Sequence, residues 1–255
     1  MVTRCMGMRC VIKMLVWVAL SSIPRSLLSK RERLCSYVKH TKNMLCKNLM
    51  FQIDRVKFRC IDSESIKILS PEYESCLWKH LNLKKGDVFI DVGAHIGKYT
   101  ITAAKIVGKS GLVVSLEPFP ANYRTLLENI KMNKLTNVVA LNVAVWDAKC
   151  DLKLFIGREH GQHSVKKDSG RGFITVQANT LDNIVSTLGV EKVNVIKIDV
   201  EGAEAEVIKG SIRILNKYHP KLIIEVWDPA SIKELANEIG YNMKQIDKYH
   251  YLFTR

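Results

Sequence analysis

Residues 86–100, GDVFIDVGAHIGKYT, decide how the chain folds. Val88, Phe89 and Ile90 form a short apolar run, suited to a strand buried on both faces, and Asp91 ends it. Gly93 and Gly97 bracket a tight turn with Ala94 between them, and from Ile96 onward the pattern reads as a helix. Strand, glycine-rich turn and helix N-terminus together make a site for a nucleotide-like ligand. The glycines let backbone N–H groups come close, and the helix start favours negative charge. The form is Asp-x-Gly-x-x-x-Gly, not the Gly-x-Gly-x-x-Gly of dinucleotide binders.

Working outward, strands and helices alternate. Downstream, the helix closes at Gly108. A second strand at 112–116 ends in Glu117-Pro118. A second helix at 120–133 places Tyr123, Leu126, Leu127 and Ile130 on one face. A third strand is expected at 138–145 and a fourth at 193–200, followed by a helix at 203–215 and a fifth strand at 222–226. The last helix, 232–239, precedes a closing antiparallel pair at 241–246 and 249–254. This rhythm predicts a mostly parallel sheet with helices on both faces and right-handed crossovers. One segment breaks it. Strands at 152–156 and 173–177 flank a polar loop, 157–172, which carries His160, Gly161 and His163. A short helix N-capped by Thr180 follows. Such a loop near the ligand edge is a candidate substrate cover. Upstream, 51–69 reads as a hairpin, and Ser70-Pro71-Glu72 opens a helix through Tyr73, Leu77, Trp78 and Leu81.

The formal charge of +14 is uneven. Residues 1–60 hold 13 Lys/Arg against 2 acidic residues, and the remainder 26 against 23. The basic character belongs to an N-terminal arm, which argues against a nucleic-acid groove in the body and leaves open an arm that touches an anionic membrane or RNA. Within the arm, 11–20 is apolar apart from Lys13, too short for a confident transmembrane span. It reads as a poorly ordered extension, as sequence upstream of a start at Met44 or Met50, as an interfacial anchor, or as a signal-peptide core. The seven cysteines are odd in number and show no Cys-x-x-Cys spacing, which excludes a disulfide framework and a zinc signature. Reduced thiols in a cytoplasmic protein, peripheral to a membrane through its arm, are the expectation.

Ligands of such sheets sit at the carboxyl ends of the strands. Asp91 and the glycine turn end the first strand. Glu117 ends the second, where a carboxylate can accept both hydroxyls of a ribose. Asp199 ends the fourth, and Glu201-Gly202 opens the next helix, where acidic residues also serve as caps.

The blocks IDVGAHIGKYT, SLEPFPANYRTLLENIKMN, LNVAVWD, VIKIDVEGAEAEVIKG and LIIEVW, in this order and spacing, resemble the FkbM family of S-adenosylmethionine-dependent methyltransferases. The resemblance covers residues 54–254, and residues 1–49 have no counterpart in it. It implies a Rossmann-like class I methyltransferase sheet over 86–255, on which the hairpin and helix of 50–85 pack, with S-adenosyl-L-methionine as cofactor. Asp91, Gly93, Ala94 and Gly97 would line the methionine moiety, and Glu117 would hold the ribose. Asn142 and Ala144 would border the adenine, with Asp147 nearby, and Asp199, Glu201 and Gly202 would form the floor beneath the methyl group. For a hydroxyl acceptor a base is needed. Asp199 and Glu201 lead, His163 joins them if its loop folds over the site, and Glu225 is a further candidate. His95 reads as packing. Asp199 with Glu201 would suit magnesium, but no third ligand is evident, so no metal is expected. The acceptor implied is a saccharide or other small hydroxylated molecule. Competing readings are a nucleotide-dependent oxidoreductase, an RNA methyltransferase guided by the arm, and a binding protein that keeps the pocket without turnover.

Overall fold

The computed structural model describes residues 3–5, 8–22, 38, 40–42, 44–46, 49–53, 55–70, 72–158 and 161–255. Pro24, Cys35, Pro71 and His160 lie outside the described residues, and with them the expected proline at a first helical position and one loop histidine.

The N-terminal part folds as strand β1 (Thr3–Cys5), helix α1 (Met8–Ser21), and the hairpin β2 (Met50–Ile53) and β3 (Val56–Arg59). β1 pairs antiparallel with β2, and β2 with β3. No helix among the described residues is long and apolar enough to cross a membrane. The alternation of β2 and β3 buries Phe51, Ile53 and Phe58 with Ile96 from the glycine turn and Ile101 from the helix after it, and Trp17 of α1 packs on their edge. Two short helices follow, α2 (Ser63–Ile68) and α3 (Leu77–Leu81). α2 stands where strand alternation was expected. Asp62 caps it by accepting the Ser65 N–H at 2.9 Å, so local capping overrides the pattern. The single helix expected from Ser70 to Leu81 is a run of turns ending in the five residues of α3.

The frame is a seven-stranded sheet. Its strands and helices are β4 (Val88–Val92), α4 (Lys98–Val107), β5 (Leu112–Leu116), α5 (Pro120–Met132) and β6 (Val138–Leu141), and then, beyond an insertion, β10 to β13. The insertion comprises β7 (Ala144–Val145), β8 (Cys150–Phe155), β9 (Phe173–Asn179) and α6 (Leu181–Thr187). The second half runs β10 (Val195–Ile198), α7 (Glu204–Lys209), α8 (Ile212–Tyr218), β11 (Lys221–Glu225), α9 (Pro229–Glu238), β12 (Asn242–Gln245) and β13 (His250–Thr254). The order across the sheet is β12-β13-β11-β10-β4-β5-β6. All neighbours from β11 to β6 pair in parallel, and β13 pairs antiparallel with both β11 and β12. This is the mostly parallel sheet with a closing antiparallel pair read from the sequence.

Both faces are covered. Ile90, Val92, Ile196, Ile198, Leu222 and Ile224 point to one face against α6 to α9. Phe89, Val113, Val195 and Ile223 point to the other against α3 and α4. Continuous Val/Ile runs are what burial on both faces demands. The expected third strand divides, since 138–141 stays in the main sheet while Ala144–Val145 pairs with β9 in a separate three-stranded sheet. The helix expected at 203–215 also divides, into α7 and α8. A side chain at Gly210 would lie 2.1 Å from the Trp146 carbonyl oxygen, so the insertion's backbone passes too close for a residue larger than glycine.

Candidate active site

A cavity of ≈ 540 Å³ opens over the strand ends where the sheet order reverses between β4 and β10, the position ligands take in such sheets. Beneath it a row of polar side chains crosses the sheet. Lys197, Asp91 and Ser115 are register partners on β10, β4 and β5. Thr100 of α4 donates to Asp91 Oδ2 at 2.6 Å, and Ser115 Oγ, 2.7 Å from Thr100 Oγ1, therefore donates to Thr100. Asp91 Oδ1 is buried without a hydrogen-bond partner among the described residues. Burial raises the Asp91 pKa against the pull of the Lys197 ammonium.

The two glycines of the turn serve packing first. Gly93 has φ +81°, and a Cβ there would stand 1.8 Å from the Asp199 carbonyl oxygen. Its absent side chain lets the ends of β4 and β10 touch. Gly97 has φ +93° and N-caps α4, and its missing Cβ makes room for Leu126 of α5. Gly93 and Ala94 line the cavity; Gly97 does not. In this structure Gly97 packs the turn against α5.

Glu117 is buried at the cavity wall. Its Oε2 accepts the His95 N–H at 2.8 Å and its Oε1 the Phe119 N–H at 2.9 Å. Burial pushes its carboxyl up to about 7 despite those hydrogen bonds. His95, at φ 52°, thus enters through its backbone. Asn142 also departs from expectation. It lies outside the lining, and its Nδ2 donates to the carbonyls of Glu117 and Pro118, pinning the turn that carries the carboxylate. Val143, Ala144 and Val145 form that part of the wall instead, and Asp147 is exposed away from it.

On the β10 side, Lys197 is 3% exposed, with Nζ 2.8 Å from Asp199 Oδ2. Burial would raise the Asp199 pKa, but Lys197 and a hydrogen bond with Glu225 hold it low. Burial and Asp199 together raise Glu225, so Glu225 carries the proton the pair shares. Glu201 follows at φ 54°, a left-handed conformation that costs a non-glycine residue about 1–3 kcal/mol. Burial and the carboxylates of Asp199, Glu64 and Glu204 push it up to about 8. Carboxyl oxygens of Asp199, Glu201 and Glu225 all lie within 4.8 Å of one another. Glu225, already a candidate base in the sequence, thus stands as the third oxygen donor that was not evident there beside Asp199 and Glu201.

The described part of the long loop lies over this floor. Ser164 Oγ donates to the Glu201 carbonyl at 2.7 Å, and Gly161 N–H to Glu64 at 2.8 Å. His163 lines the cavity, stacked on Phe119 with ring centroids 3.7 Å apart. Its Nδ1 accepts the Gly157 N–H at 3.1 Å, which places the ring proton on Nε2. Nδ1 is thus committed to the loop backbone, and the ring packs on Phe119 at the cavity wall.

Several lining residues were not picked out in the sequence. Glu74 accepts from Tyr99 OH at 2.8 Å. Lys98 Nζ donates to the Tyr73 carbonyl at 2.6 Å, and burial lowers it to about 8. Trp227, Lys248, Tyr249 and His250 close the far side. Lys197 left a signal of its own, a lysine inside an otherwise apolar strand.

A family model described as Methyltransferase FkbM domain matches residues 91–249. The chain belongs to the FkbM methyltransferase family. A second model, protein-L-isoaspartate(D-aspartate) O-methyltransferase (PCMT), matches residues 8–148 and so ends before Asp199. Among relatives, this FkbM-family chain is 31% identical over 158 residues to the hexuronic acid methyltransferase AglP of Haloferax volcanii, covering 61% of this chain and 63% of that one. It is 29% identical over 144 residues to a tRNA(Phe) (4-demethylwyosine(37)-C(7)) aminocarboxypropyltransferase of Methanocaldococcus jannaschii, covering 53% and 56%. Each match thus spans less than two thirds of the relative. The crystal structure of the methyltransferase FkbM from Methylobacillus flagellatus KT superposes with a TM-score of 0.51 at 18% identity, over 69% of this chain and 45% of that one. The likeness is one of fold, that of the class I methyltransferases.

The residues present fit S-adenosyl-L-methionine. The cavity offers an orphaned buried carboxylate oxygen on Asp91 for an ammonium group. Glu117 Oε2 takes one backbone N–H and keeps a lone pair for a ribose hydroxyl, while Oε1 accepts the Phe119 N–H and, at 3.4 Å, the Asn122 side-chain amide.

Proposed function

We propose that this chain is an S-adenosylmethionine-dependent O-methyltransferase acting on a saccharide or other small hydroxylated acceptor. The observation that carries the reading is a single cavity walled by Glu117 and Asp91 on one side and by Asp199, Glu201 and Glu225 on the other. Asp91 and Glu117 would hold the cofactor by its ammonium and ribose. When bound, it supplies a methyl group on a sulfonium centre, so the reaction asks mainly for alignment and for removal of the acceptor's proton. Glu201 takes that proton on its carboxylate. A base with a pKa near the working pH combines availability with proton affinity, and Glu201, at about 8, meets that condition. Asp199 stays ionised beside Lys197 and supplies fixed negative charge under the reaction, a poor base but a suitable floor for a cation.

The wall also speaks to the acceptor. It carries eight Asp/Glu against four Lys, but Glu225 and Glu201 hold protons near neutral pH and Glu117 is about half protonated, so the wall offers a dense set of hydrogen-bonding carboxyls for hydroxyls rather than a large net negative charge. The hexuronic acid methyltransferase relative supports the saccharide class.

The test is methyl transfer from labelled cofactor to a panel of sugars, with tRNA alongside, and product analysis by mass spectrometry. Expected is O-methylated sugar, with Glu201→Gln lowering kcat about 10²–10³-fold while calorimetry shows S-adenosylhomocysteine binding unchanged. Methylation of tRNA alone would overturn the acceptor class. Tighter binding of NAD than of S-adenosylhomocysteine would overturn the reaction.

A further inference from the structure

We propose that Trp227 and Tyr249 form a docking platform for the ring of a pyranose acceptor, at the cavity mouth beside the carboxylates. The inference rests on the saccharide reading above and names the part of the site that would hold the sugar.

Trp227 stands two residues beyond Glu225, at the carboxyl end of β11, and is 53% exposed. It is the exposed large apolar side chain, among the described residues, that lines the cavity. An indole left half in water forgoes burial worth about 25 cal/mol per Å², and an uncovered aromatic at the mouth of a polar cavity marks a contact site. Its ring leans on Tyr249 at 5.2 Å between centroids and 35° between planes. Both rings line the cavity, with the indole of Trp227 as the exposed apolar face and the Lys248 ammonium over the Tyr249 ring.

The platform is built rather than incidental. Tyr249 lies in the turn between β12 and β13, and its carbonyl accepts the Val226 N–H at 2.8 Å, which fixes it beside Trp227. Asp247 Oδ1 accepts the N–H groups of Tyr249 and His250, at 3.0 and 2.9 Å, and faces His250 Nδ1 at 2.9 Å. His250 is in turn the register partner of Glu225. The two rings are therefore held by paired strands and a hydrogen-bonded turn, and the pre-ordering reduces the entropy that binding would cost.

The occupant follows from the chemistry around the rings. A pyranose has an apolar face of C–H groups and a rim of hydroxyls. The face suits the aromatic pair. The rim meets Glu225 and the Lys248 ammonium, which sits over the Tyr249 ring at 4.8 Å. Glu225 also touches the Asp199–Glu201 group, so a ring seated on Trp227 offers a hydroxyl towards the proposed base.

The experiment is saturation-transfer NMR on the full chain saturated with S-adenosylhomocysteine, using the methyl pyranosides of glucose, mannose and galactose as probes and methyl 4-hydroxybenzoate as a planar control. Wild-type protein is expected to pass saturation to ring C–H protons of at least one pyranoside. Trp227→Ala and Tyr249→Ala should weaken that pyranoside about tenfold, roughly the worth of an aromatic contact. Trp227→Phe should recover most of it, and all variants should keep S-adenosylhomocysteine affinity within about twofold, which also certifies their folding. Equal pyranoside binding by wild type and Trp227→Ala would overturn the platform and leave the saccharide reading standing. Absence of binding and of turnover for every sugar, with S-adenosylhomocysteine still bound, would overturn both. A Trp227-dependent signal from the benzoate alone would replace the pyranose by a planar acceptor and likewise overturn the proposal.

Discussion

Glu201 and Glu117 show how burial sets both chemistry and stability. Burial and neighbouring carboxylates lift Glu201 from the ordinary 4.5 to about 8, and burial lifts Glu117 to about 7. A carboxyl whose pKa is higher folded than unfolded binds more protons in the folded state between those two values. Folding is therefore favoured at the acid end of that window, and stability is lost as pH rises through it. The melting temperature of the ligand-free protein should fall between pH 5 and 8. Glu201→Gln should flatten that fall and raise the melting temperature at the alkaline end by about 2 °C or more. Thermal denaturation across pH checks it, and an unchanged slope in the variant would contradict the burial account. Activity should run the opposite way, rising towards a plateau above about 8, because the proposed base works ionised.

At the scale of the element, the β4–α4 turn is constrained by its neighbours more than by any ligand. Gly93→Ala would set a methyl group 1.8 Å from the Asp199 carbonyl and demand φ +81° of an alanine. Overpacking and backbone strain together should cost about 3 kcal/mol or more. Urea denaturation measures this, and a loss under 1 kcal/mol would show that the two strand ends can part. The same unit explains what could be read in advance. Val88–Val92 and Val195–Ile198 were legible because strands buried on both faces leave continuous apolar runs. Glu117 and Asp199 were legible because each directly follows an apolar strand, Asp91 because it interrupts one next to the glycine turn, and Glu201 because it opens the segment after Asp199. α2 was missed because six residues carry little periodicity, although Asp62 three residues before Ser65 was a capping signal. Trp227, Tyr249, His250 and Glu74 were not legible as a group, since they come from far apart in the chain and meet only through the pairing of β11 with β13 and the fold of 72–81. The packing duty of Gly97 was hidden for the same reason. Its partner, Leu126, belongs to another helix.

Across the whole molecule, the N-terminal hairpin is joined to the cofactor turn through one helix. Asn129 of α5 and Asn133, the residue that caps its C-terminus one turn on, bind the free edge of β3 as a further strand would. Asn129 Oδ1 accepts the Arg59 N–H at 2.7 Å, and Asn133 exchanges hydrogen bonds with Lys57 at 2.9 and 2.6 Å. Asn129 Nδ2 also donates to the Ile96 carbonyl at 2.9 Å, inside the glycine turn. Asn129→Ala strands these buried groups and should cost about 2–4 kcal/mol, at roughly 1–3 per unsatisfied group. Through Ile96 it should weaken S-adenosylhomocysteine binding as well. Calorimetry and denaturation on the same variant test the link, and intact affinity in a destabilised protein would show that the hairpin and the turn are independent.

The Lys197–Asp91–Ser115 row has a consequence for how variants are judged. Side chains alternate along a strand, so sliding β4 by one residue would swing Asp91 among Ile90's apolar neighbours and leave Lys197 facing hydrocarbon. The polar trio therefore acts as an alignment mark during assembly, in a sheet whose Val/Ile runs would otherwise tolerate several offsets. A chain stripped of that mark by Lys197→Met can stay silent in an assay because its strands have paired wrongly, with its chemistry never put to the question.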